Sequence, residues 1–444
     1  MKHHRRTRVM AGLGVAAVAM LLASAPAEPA TATDTGEWWY DAYGVAAIHN
    51  EGWTGAGVKI AVIDSNINPD LPVFAGRNLK VDPRPLCAEV SSPTTTERTV
   101  GAGHGATVVA QIIGSGQGPG GIRGIAPDAE VTFYSLGTQT DEESCTAAEY
   151  GDQLTAVALG VQRALDDGAD IITTSVAGGK EPGDSDVIAN AIAKGVIVVA
   201  SGPNPTTRDL AGLREYQGVI VASAVDEAGQ LNTYDDGRSL VYPRTAVVAP
   251  GVGLTTVGSA SGGWDSAGRG SGSSFAAPLV AGALALAEQR SPQATSNQLV
   301  QALLRNTGKE PHELSDDRTS GYGFGLAWPA NIVGVDATTY PDDNLLVGRV
   351  EAAPTAAQIE QAAARGSAYP PVAEPSVTSP TEVRPRSDDD PTSSPAGPDI
   401  TLIAVLSALG LIVIAAGAVV AITVTRRNRT RRVAQDTRER VEQP

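Results

Sequence analysis

Between about residues 38 and 349, two hydrophobic patterns alternate along the chain. Short runs rich in β-branched residues, typical of buried strands, are followed by longer alanine-rich amphipathic stretches, typical of helices. This alternation predicts an α/β fold with a mostly parallel sheet covered on both faces by helices. The clearest predicted strands are 58–63, 171–175, 196–200, 218–224 and 246–250, and the clearest helices are 104–113, 154–166, 185–194, 274–290 and 297–305.

Near the C-terminus, residues 400–425 contain no charged side chain. A helix of that length is long enough to cross a bilayer, and a buried core helix, the alternative, would normally carry some polar positions. Five arginines follow within residues 426–432, so the positive-inside rule places the tail 426–444 in the cytoplasm. The pattern predicts a single-pass plasma membrane protein whose remaining chain faces outward.

The N-terminus has the layout of a secretory signal peptide. Basic residues 2–8 precede an apolar stretch and then small residues, which predicts a signal over 1–27 with a cut site between 27 and 32. A retained signal anchor is the alternative. The interpretation then divides the rest into an extension at 28–50, a folded domain at 51–350, and a tether at 351–398 that is rich in proline, alanine and serine.

The charge and the cysteine content of the chain exclude some classes of function. The formal net charge of −16 argues against nucleic acid as a partner, because binding to phosphate backbones requires a clustered basic surface. Only Cys87 and Cys145 are present. In an exported chain they predict one disulfide, with two unpaired thiols as the alternative, and their spacing fits neither a zinc site nor a redox site.

A search for activated nucleophiles leads to three positions. A serine hydroxyl becomes reactive when an imidazole removes its proton and a carboxylate orients that imidazole. Of the five histidines, two belong to the predicted signal, His49 and His312 lie in stretches typical of packing or loop residues, and His104 stands between two glycines before an apolar helix. Asp64 follows a predicted strand, and Ser274 follows a glycine-rich turn that opens into a helix.

These segments resemble the three motifs of subtilisin-like proteases. The motifs are Asp64-Ser65, His104-Gly105 and the run 272–278, Gly-Ser-Ser-Phe-Ala-Ala-Pro, and their order along the chain is also that of subtilisin. The resemblance covers about residues 38–335 and implies a subtilisin-like three-layer fold with a catalytic triad of Asp64, His104 and Ser274. Together with the signal, tether, single membrane helix and basic tail, the chain is similar to the mycosins, which implies association with a type VII secretion complex.

The resemblance also implies further site residues. Asn204 would donate its amide to the oxyanion, although Pro203 and Pro205 flank it, and an Asn without a catalytic role in a stiffened loop is the alternative. Ser175, Val176, Ala177 and Gly178 would form the edge that binds an extended polypeptide substrate.

Three positions within the triad motifs depart from the residues usual in the family. The family prefers glycine at Asn66 and threonine at Ala106 and at Ser273. No triad residue is lost, so the interpretation favours an active serine endopeptidase that needs no cofactor and no metal. A non-catalytic, protease-shaped scaffold that braces a membrane complex is the alternative.

Overall fold

The structure, a computed structural model, describes residues 36–137, 145–207 and 210–366 of the 444-residue chain. The strands in these residues are β1 (Lys59–Asp64), β2 (Leu79–Val81), β3 (Glu130–Ser135), β4 (Ile171–Thr174), β5 (Ile197–Ser201), β6 (Ile220–Val225), β7 (Val247–Pro250), β8 (Leu254–Thr256) and β9 (Gly268–Gly270). The α-helices are α1 (Trp38–Ala42), α2 (Val45–Asn50), α3 (Val100–Ile113), α4 (Ala156–Asp166), α5 (Asp184–Ala193), α6 (Ser273–Arg290), α7 (Ser296–Arg305), α8 (Pro329–Val333) and α9 (Ala356–Arg365).

Seven of these strands form one sheet in the order β2-β3-β1-β4-β5-β6-β7, and all neighbouring pairs are parallel. The predicted parallel α/β sheet is therefore confirmed. Strands β8 and β9 form a separate antiparallel pair. In the large sheet β1 lies between β3 and β4, so the strand order reverses there. Such a reversal opens a crevice at the carboxyl ends of the strands, where α/β proteins bind their ligands.

Helices cover both faces of the sheet because its strands are apolar on both faces. Ile60 and Val62 of β1 belong to the core that includes α3 and α6, and Ala61 and Ile63 belong to the core that includes α4 and α5. Helix α6 packs against four strands and against α3, and its side chains are buried from Ser273 to Ala287. This explains why α6 lacks a polar face along most of its length.

The residues before β1 pack onto this domain. Trp39 is fully buried, and His49 lies between the Tyr40 hydroxyl, 3.2 Å from Nδ1, and the Ile125 carbonyl oxygen, 2.8 Å from Nε2. Burial lowers the pKa of His49. Burial also raises the pKa of the Glu37 carboxyl, to about 7. His49 is thus a packing residue, as the sequence predicted.

The folded part of the chain extends beyond its predicted C-terminal boundary. Residues 351–366, the beginning of the predicted tether, include helix α9, which packs against α5 and buries Ala362, so the folded part continues beyond the predicted boundary at 350. The predicted signal peptide and the predicted membrane helix at 400–425 lie outside the described residues. Among the helices that the structure does describe, none is both long and apolar enough to cross a membrane.

Candidate active site

Asp64 is the last residue of β1 and lies at the crevice where the strand order reverses. The side chain is fully buried, and its Oδ1 accepts hydrogen bonds from the Ser65 backbone N–H at 2.7 Å and from His104 Nδ1 at 2.8 Å. An ionised carboxylate can only accept, so His104 must donate its Nδ1 proton. The imidazole is thereby held with its second nitrogen, Nε2, free of that proton and able to act as a base.

His104 lies one turn inside α3, because the helix begins at Val100 rather than at His104 as predicted. Thr99 caps this earlier start by accepting a hydrogen bond from the Ala102 N–H at 3.0 Å, which satisfies a donor that the first turn would leave unpaired. Gly105 is required by packing. A Cβ atom at this position would lie 2.2 Å from the carbonyl oxygen of Asn66, so only glycine lets α3 approach the turn after β1.

Ser274 occupies the first turn of α6 and is buried beside the end of β4. Its hydroxyl donates to the Ser175 carbonyl oxygen at 3.3 Å, and the Ser175 hydroxyl donates to the Ser274 carbonyl oxygen at 2.7 Å. The next residue, Phe275, stacks at a tilt against the His104 ring with centroids 6.1 Å apart. His104 and Ser274 line the same cleft of about 740 Å³, so the structure brings all three predicted residues to one crevice.

Asn204 lines this cleft as well, beside the turn that precedes Ser274. Its Oδ1 accepts the Ser273 backbone N–H at 2.8 Å, which fixes the orientation of the amide and leaves Nδ2 as a donor. Gly272 permits this approach, since a Cβ there would be 3.1 Å from Nδ2. The Ser274 backbone N–H belongs to the first turn of α6, whose N–H groups have no intrahelical acceptor. Asn204 and Ser274 line the same cleft, so these two groups are candidate donors for an oxyanion there.

The Pro203-Asn204-Pro205 segment is held by local hydrogen bonds. Asn204 donates its backbone N–H to the Thr207 hydroxyl at 3.0 Å, and Thr207 N–H donates to the Asn204 carbonyl at 3.0 Å. The Ser273 hydroxyl donates to the Pro203 carbonyl oxygen at 3.3 Å and accepts the Ala224 N–H at 3.2 Å. Ser273 thus connects the segment before Asn204 to strand β6 and to the turn of Ser274.

The predicted substrate edge, Ser175, Val176, Ala177 and Gly178, follows β4 and lines the cleft along its whole length. Gly178 is constrained by helix α4, because a Cβ there would lie 2.4 Å from a methyl carbon of Val157. Beyond it, the carbonyl oxygen of Ala211, a residue that also lines the cleft, accepts the N–H groups of Gly178 and Gly179 at 3.3 and 3.2 Å.

Asn66, which replaces the usual glycine, causes no backbone strain. Its φ is not positive, so the turn does not need the left-handed backbone that favours glycine. The Asn66 Oδ1 instead accepts the Ile67 N–H at 2.7 Å. Cys87 and Cys145 form the predicted disulfide, with Cα atoms 4.9 Å apart, and Cys145 lies at the cleft.

Two buried charged residues near the cleft were missed by the sequence reasoning. Asp184, at the start of α5, accepts from the backbone and hydroxyl of Thr155, from the Glu181 N–H and from the Tyr216 hydroxyl. Burial raises the pKa of Asp184 despite these donors. Arg214 is also buried and lines the cleft. No sequence motif marks either residue. Their burial beside the cleft is visible only in the folded chain, where segments distant in sequence come into contact.

Within the three described ranges, no group of three or more His, Cys, Asp and Glu side chains could hold an ion. His312 is instead engaged by its own loop, with Nε2 2.8 Å from the Thr307 carbonyl oxygen and Nδ1 2.7 Å from the Glu313 carbonyl oxygen.

A carboxylate, an imidazole and a serine hydroxyl at the carboxyl edge of a parallel sheet are the groups of a serine hydrolase. Residues 55–325, more than half of the chain, match the family model described as the Subtilase family. The chain therefore belongs to the subtilase family and is a serine-type endopeptidase.

Two curated proteases have sequences similar to that of the chain. The chain is 28% identical over 307 residues to the alkaline protease of Alkalihalobacillus alcalophilus, covering 68% of this chain and 70% of the relative. It is 29% identical over 296 residues to subtilisin BL of Lederbergia lenta, covering 65% of this chain and 95% of the relative.

Solved structures share the fold. Fervidolysin from Fervidobacterium pennivorans, described as a keratinolytic enzyme related to subtilisin, matches with a TM-score of 0.54 and 23% identity, over 70% of this chain and 48% of its own. MycP1 from the ESX-1 type VII secretion system matches with a TM-score of 0.53 and 19% identity, over 70% of this chain and 88% of its own. At these identities the similarity concerns the fold alone.

Proposed function

We propose that the protein cuts polypeptides outside the cell through a triad of Asp64, His104 and Ser274. The 2.8 Å hydrogen bond between buried Asp64 and His104 Nδ1, at a cleft that Ser274 also lines, carries this proposal. Burying a carboxylate costs free energy unless it is paired, so an apolar pair at these two positions would stabilise the fold better than Asp64 and His104 do. The geometry of their hydrogen bond instead prepares the imidazole to accept a proton.

The reaction follows from these positions. The Ser274 hydroxyl turns from the Ser175 carbonyl toward Nε2 of His104, gives up its proton there and attacks the scissile carbonyl carbon. Asp64 stabilises the resulting imidazolium. The new oxyanion accepts hydrogen bonds from Asn204 Nδ2 and from the Ser274 backbone N–H. His104 then protonates the leaving amine, and a water molecule, deprotonated by His104, hydrolyses the acyl-enzyme.

The substrate is an extended peptide that pairs with the edge formed by Ser175–Gly178. This edge starts at the carbonyl that receives the Ser274 hydrogen bond, so a strand lying along it would bring a peptide carbonyl to the nucleophile. The cleft is lined mainly by small and apolar residues, which suits a peptide chain better than a charged small molecule.

The location is part of the proposal. A signal at 1–27, a membrane helix at 400–425 and a basic tail at 426–444 would hold the domain on the outer face of the plasma membrane. The fold shared with MycP1, a protein of a type VII secretion system by its title, supports a link to protein secretion. In that setting a second candidate is a catalytically weak scaffold that braces a membrane complex, favoured by the two prolines around Asn204.

A fluorophosphonate probe separates these candidates. We expect the full-length protein in membranes to be labelled, Ser274→Ala to abolish labelling, and Ser271→Ala to retain it. Ser271 is a matched control because it lies in the same turn and lines the same cleft, while its hydroxyl accepts the Gly253 N–H at 2.9 Å.

The outcome against the enzyme would be folded protein that stays unlabelled. A probe that cannot cross membranes extends the experiment to intact cells, where labelling is expected only if the domain faces outward.

A further inference from the structure

A buried carboxylate anchors the loop that follows the substrate edge Ser175–Gly178. Asp184, the first residue of α5, is fully buried. Its Oδ2 accepts the Glu181 backbone N–H at 3.1 Å, and Glu181 belongs to residues 179–183, the loop between the edge and α5. Its Oδ1 accepts the Thr155 backbone N–H at 2.9 Å, and Oδ2 also accepts from the Thr155 hydroxyl at 3.2 Å. Asp184 therefore connects this loop to the residue that precedes α4.

Thr155 connects Asp184 to the lining of the cleft. The Thr155 hydroxyl accepts the Ala158 N–H at 3.1 Å and thereby caps α4. The first two residues of that helix, Ala156 and Val157, line the cleft together with the edge. Because the same hydroxyl donates to Asp184, one carboxylate fixes both the start of α4 and the loop after the edge.

The edge packs directly against the first turn of α4. A Cβ atom on Gly178 would lie 2.4 Å from a methyl carbon of Val157, so the approach requires glycine. A Cβ atom on Gly179 would lie 3.9 Å from the methyl carbon of Thr155, which is an ordinary contact distance. The edge and the start of α4 are therefore adjoining parts of the cleft lining, and a shift of one displaces the other.

Further contacts hold Asp184 and its loop in this arrangement. Gly183 donates its N–H to the Gln153 carbonyl oxygen at 2.9 Å. The Tyr216 hydroxyl donates to Oδ2 of Asp184 at 3.4 Å, and the ammonium of Lys180 lies 5.3 Å from the centroid of the Tyr216 ring. Burying a carboxylate costs free energy, which hydrogen bonds from several donors offset. An apolar side chain could fill the same space, but it could not hold donors from three segments together.

We propose that Asp184 is a positioning residue for peptide hydrolysis, which fixes the edge Ser175–Gly178 against the start of α4 so that an extended substrate can pair along it. This inference rests on the proposed function, because it concerns binding of the peptide that Ser274 attacks. Asp184 is not among the described residues that line the cleft, so it acts through the edge rather than on the substrate. Its loss should weaken peptide binding and leave the reactivity of Ser274 near the wild-type value.

The test separates peptide binding from the reactivity of Ser274 in the full-length protein. A small fluorophosphonate reports on Ser274 alone, whereas a peptide substrate that runs along the edge reports on both. We expect Asp184→Ala to raise KM for the peptide about tenfold, with kcat and the labelling rate within about threefold of the wild type. Asp184→Asn retains the shape and one of the two acceptor oxygens, so its KM should lie between those of the wild type and Asp184→Ala.

Asp82→Asn is the matched control. Asp82 is also buried and accepts a backbone N–H, that of Arg84 at 3.1 Å. It contacts Arg163 of α4 at 3.3 Å, near the C-terminal end of that helix and away from the turn that meets the edge. We expect Asp82→Asn to lower the temperature of thermal unfolding without changing KM for the peptide or the labelling rate.

Two outcomes would overturn the inference. If KM for the peptide stays within about twofold in Asp184→Ala, the edge does not depend on this carboxylate. If kcat and the labelling rate fall along with peptide binding, or if Asp82→Asn raises KM equally, loss of Asp184 acts through general destabilisation of the fold. Should Asp184→Ala fail to fold, Asp184→Asn decides between the same outcomes. A wild-type protein that is neither labelled nor able to cut any peptide would refute the proposed function instead.

Discussion

The two halves of the site are built differently. The half formed by Asp64 and His104 is positioned by regular elements: the end of β1 supplies the carboxylate, α3 supplies the imidazole, and Gly105 permits their approach. The half formed by Asn204 lies in a loop between two prolines, where Asn204 accepts a hydrogen bond from the Ser273 N–H and donates one to the Thr207 hydroxyl. The first half depends on the whole fold, whereas the second depends on a few local contacts that single substitutions can remove.

The largest expected effect is that of Asp64→Asn. The amide can present a donor to His104 Nδ1, which favours the tautomer with the proton on Nε2, and Nε2 then cannot accept the Ser274 proton. We expect kcat for peptide hydrolysis to fall about 10⁴-fold, as in other triads that lose this carboxylate. Thermal unfolding of the variant, followed by circular dichroism, shows whether the fold persists. A folded variant with kcat within tenfold of the wild type would contradict the assignment of Asp64.

The next effect is that of Asn204→Ala, which removes the Nδ2 donor. Loss of one such donor lowers kcat by about 10²–10³-fold, with little change in KM because the bond forms chiefly in the transition state. Asn232→Ala is a matched control, since Asn232 lies away from the cleft and its Oδ1 accepts the Thr233 N–H at 2.9 Å. If Asn204→Ala keeps kcat within about threefold, Asn204 is only a loop residue.

The strands of the sheet show how much of the fold the hydrophobic pattern of the sequence predicts. Strands β1 and β4–β7 begin and end within two residues of prediction, because each is a buried β-branched run. Strands β2, β3, β8 and β9 were not predicted. Three of them, β2, β8 and β9, have only three residues each, which is too short for a pattern, and in β3 the polar residues Glu130, Thr132 and Ser135 interrupt the apolar run. Helix α3 begins four residues earlier than predicted, because Gly101 and Gly103 weaken the local helix signal while the Thr99 cap and burial outweigh it.

Some residues of the site could likewise be predicted from the sequence, and others could not. Asp64, His104 and Ser274 could be predicted because each stands next to a glycine-rich turn or a strand end that is visible locally. Arg214 and Asp184 could not. Their partners lie on other segments or are backbone atoms, so no spacing in the sequence indicates that these charges are buried beside the cleft. Burial of charge is decided by tertiary packing, which a single sequence does not display.

Ser273→Ala has the smallest expected effect. It tests whether the half of the site formed by Asn204 depends on a few local contacts. The Ser273 hydroxyl donates to the Pro203 carbonyl and accepts the Ala224 N–H, so its removal leaves two buried groups without a partner. The Ser273 backbone N–H still donates to Asn204 Oδ1, so the oxyanion donor is loosened rather than lost. We therefore expect kcat to fall by about three- to tenfold, well short of the loss expected for Asn204→Ala.

Ser273→Thr is the matched control, since threonine keeps the hydroxyl and should keep kcat near the wild-type value. The decisive measurement is the double variant Ser273→Ala/Asn204→Ala. If Ser273 acts by positioning Asn204, the double variant is no slower than Asn204→Ala alone, because nothing remains to position. If the two losses multiply instead, the hydroxyl acts independently of Asn204, and the Pro-flanked segment is then held in place by Thr207 and the prolines themselves.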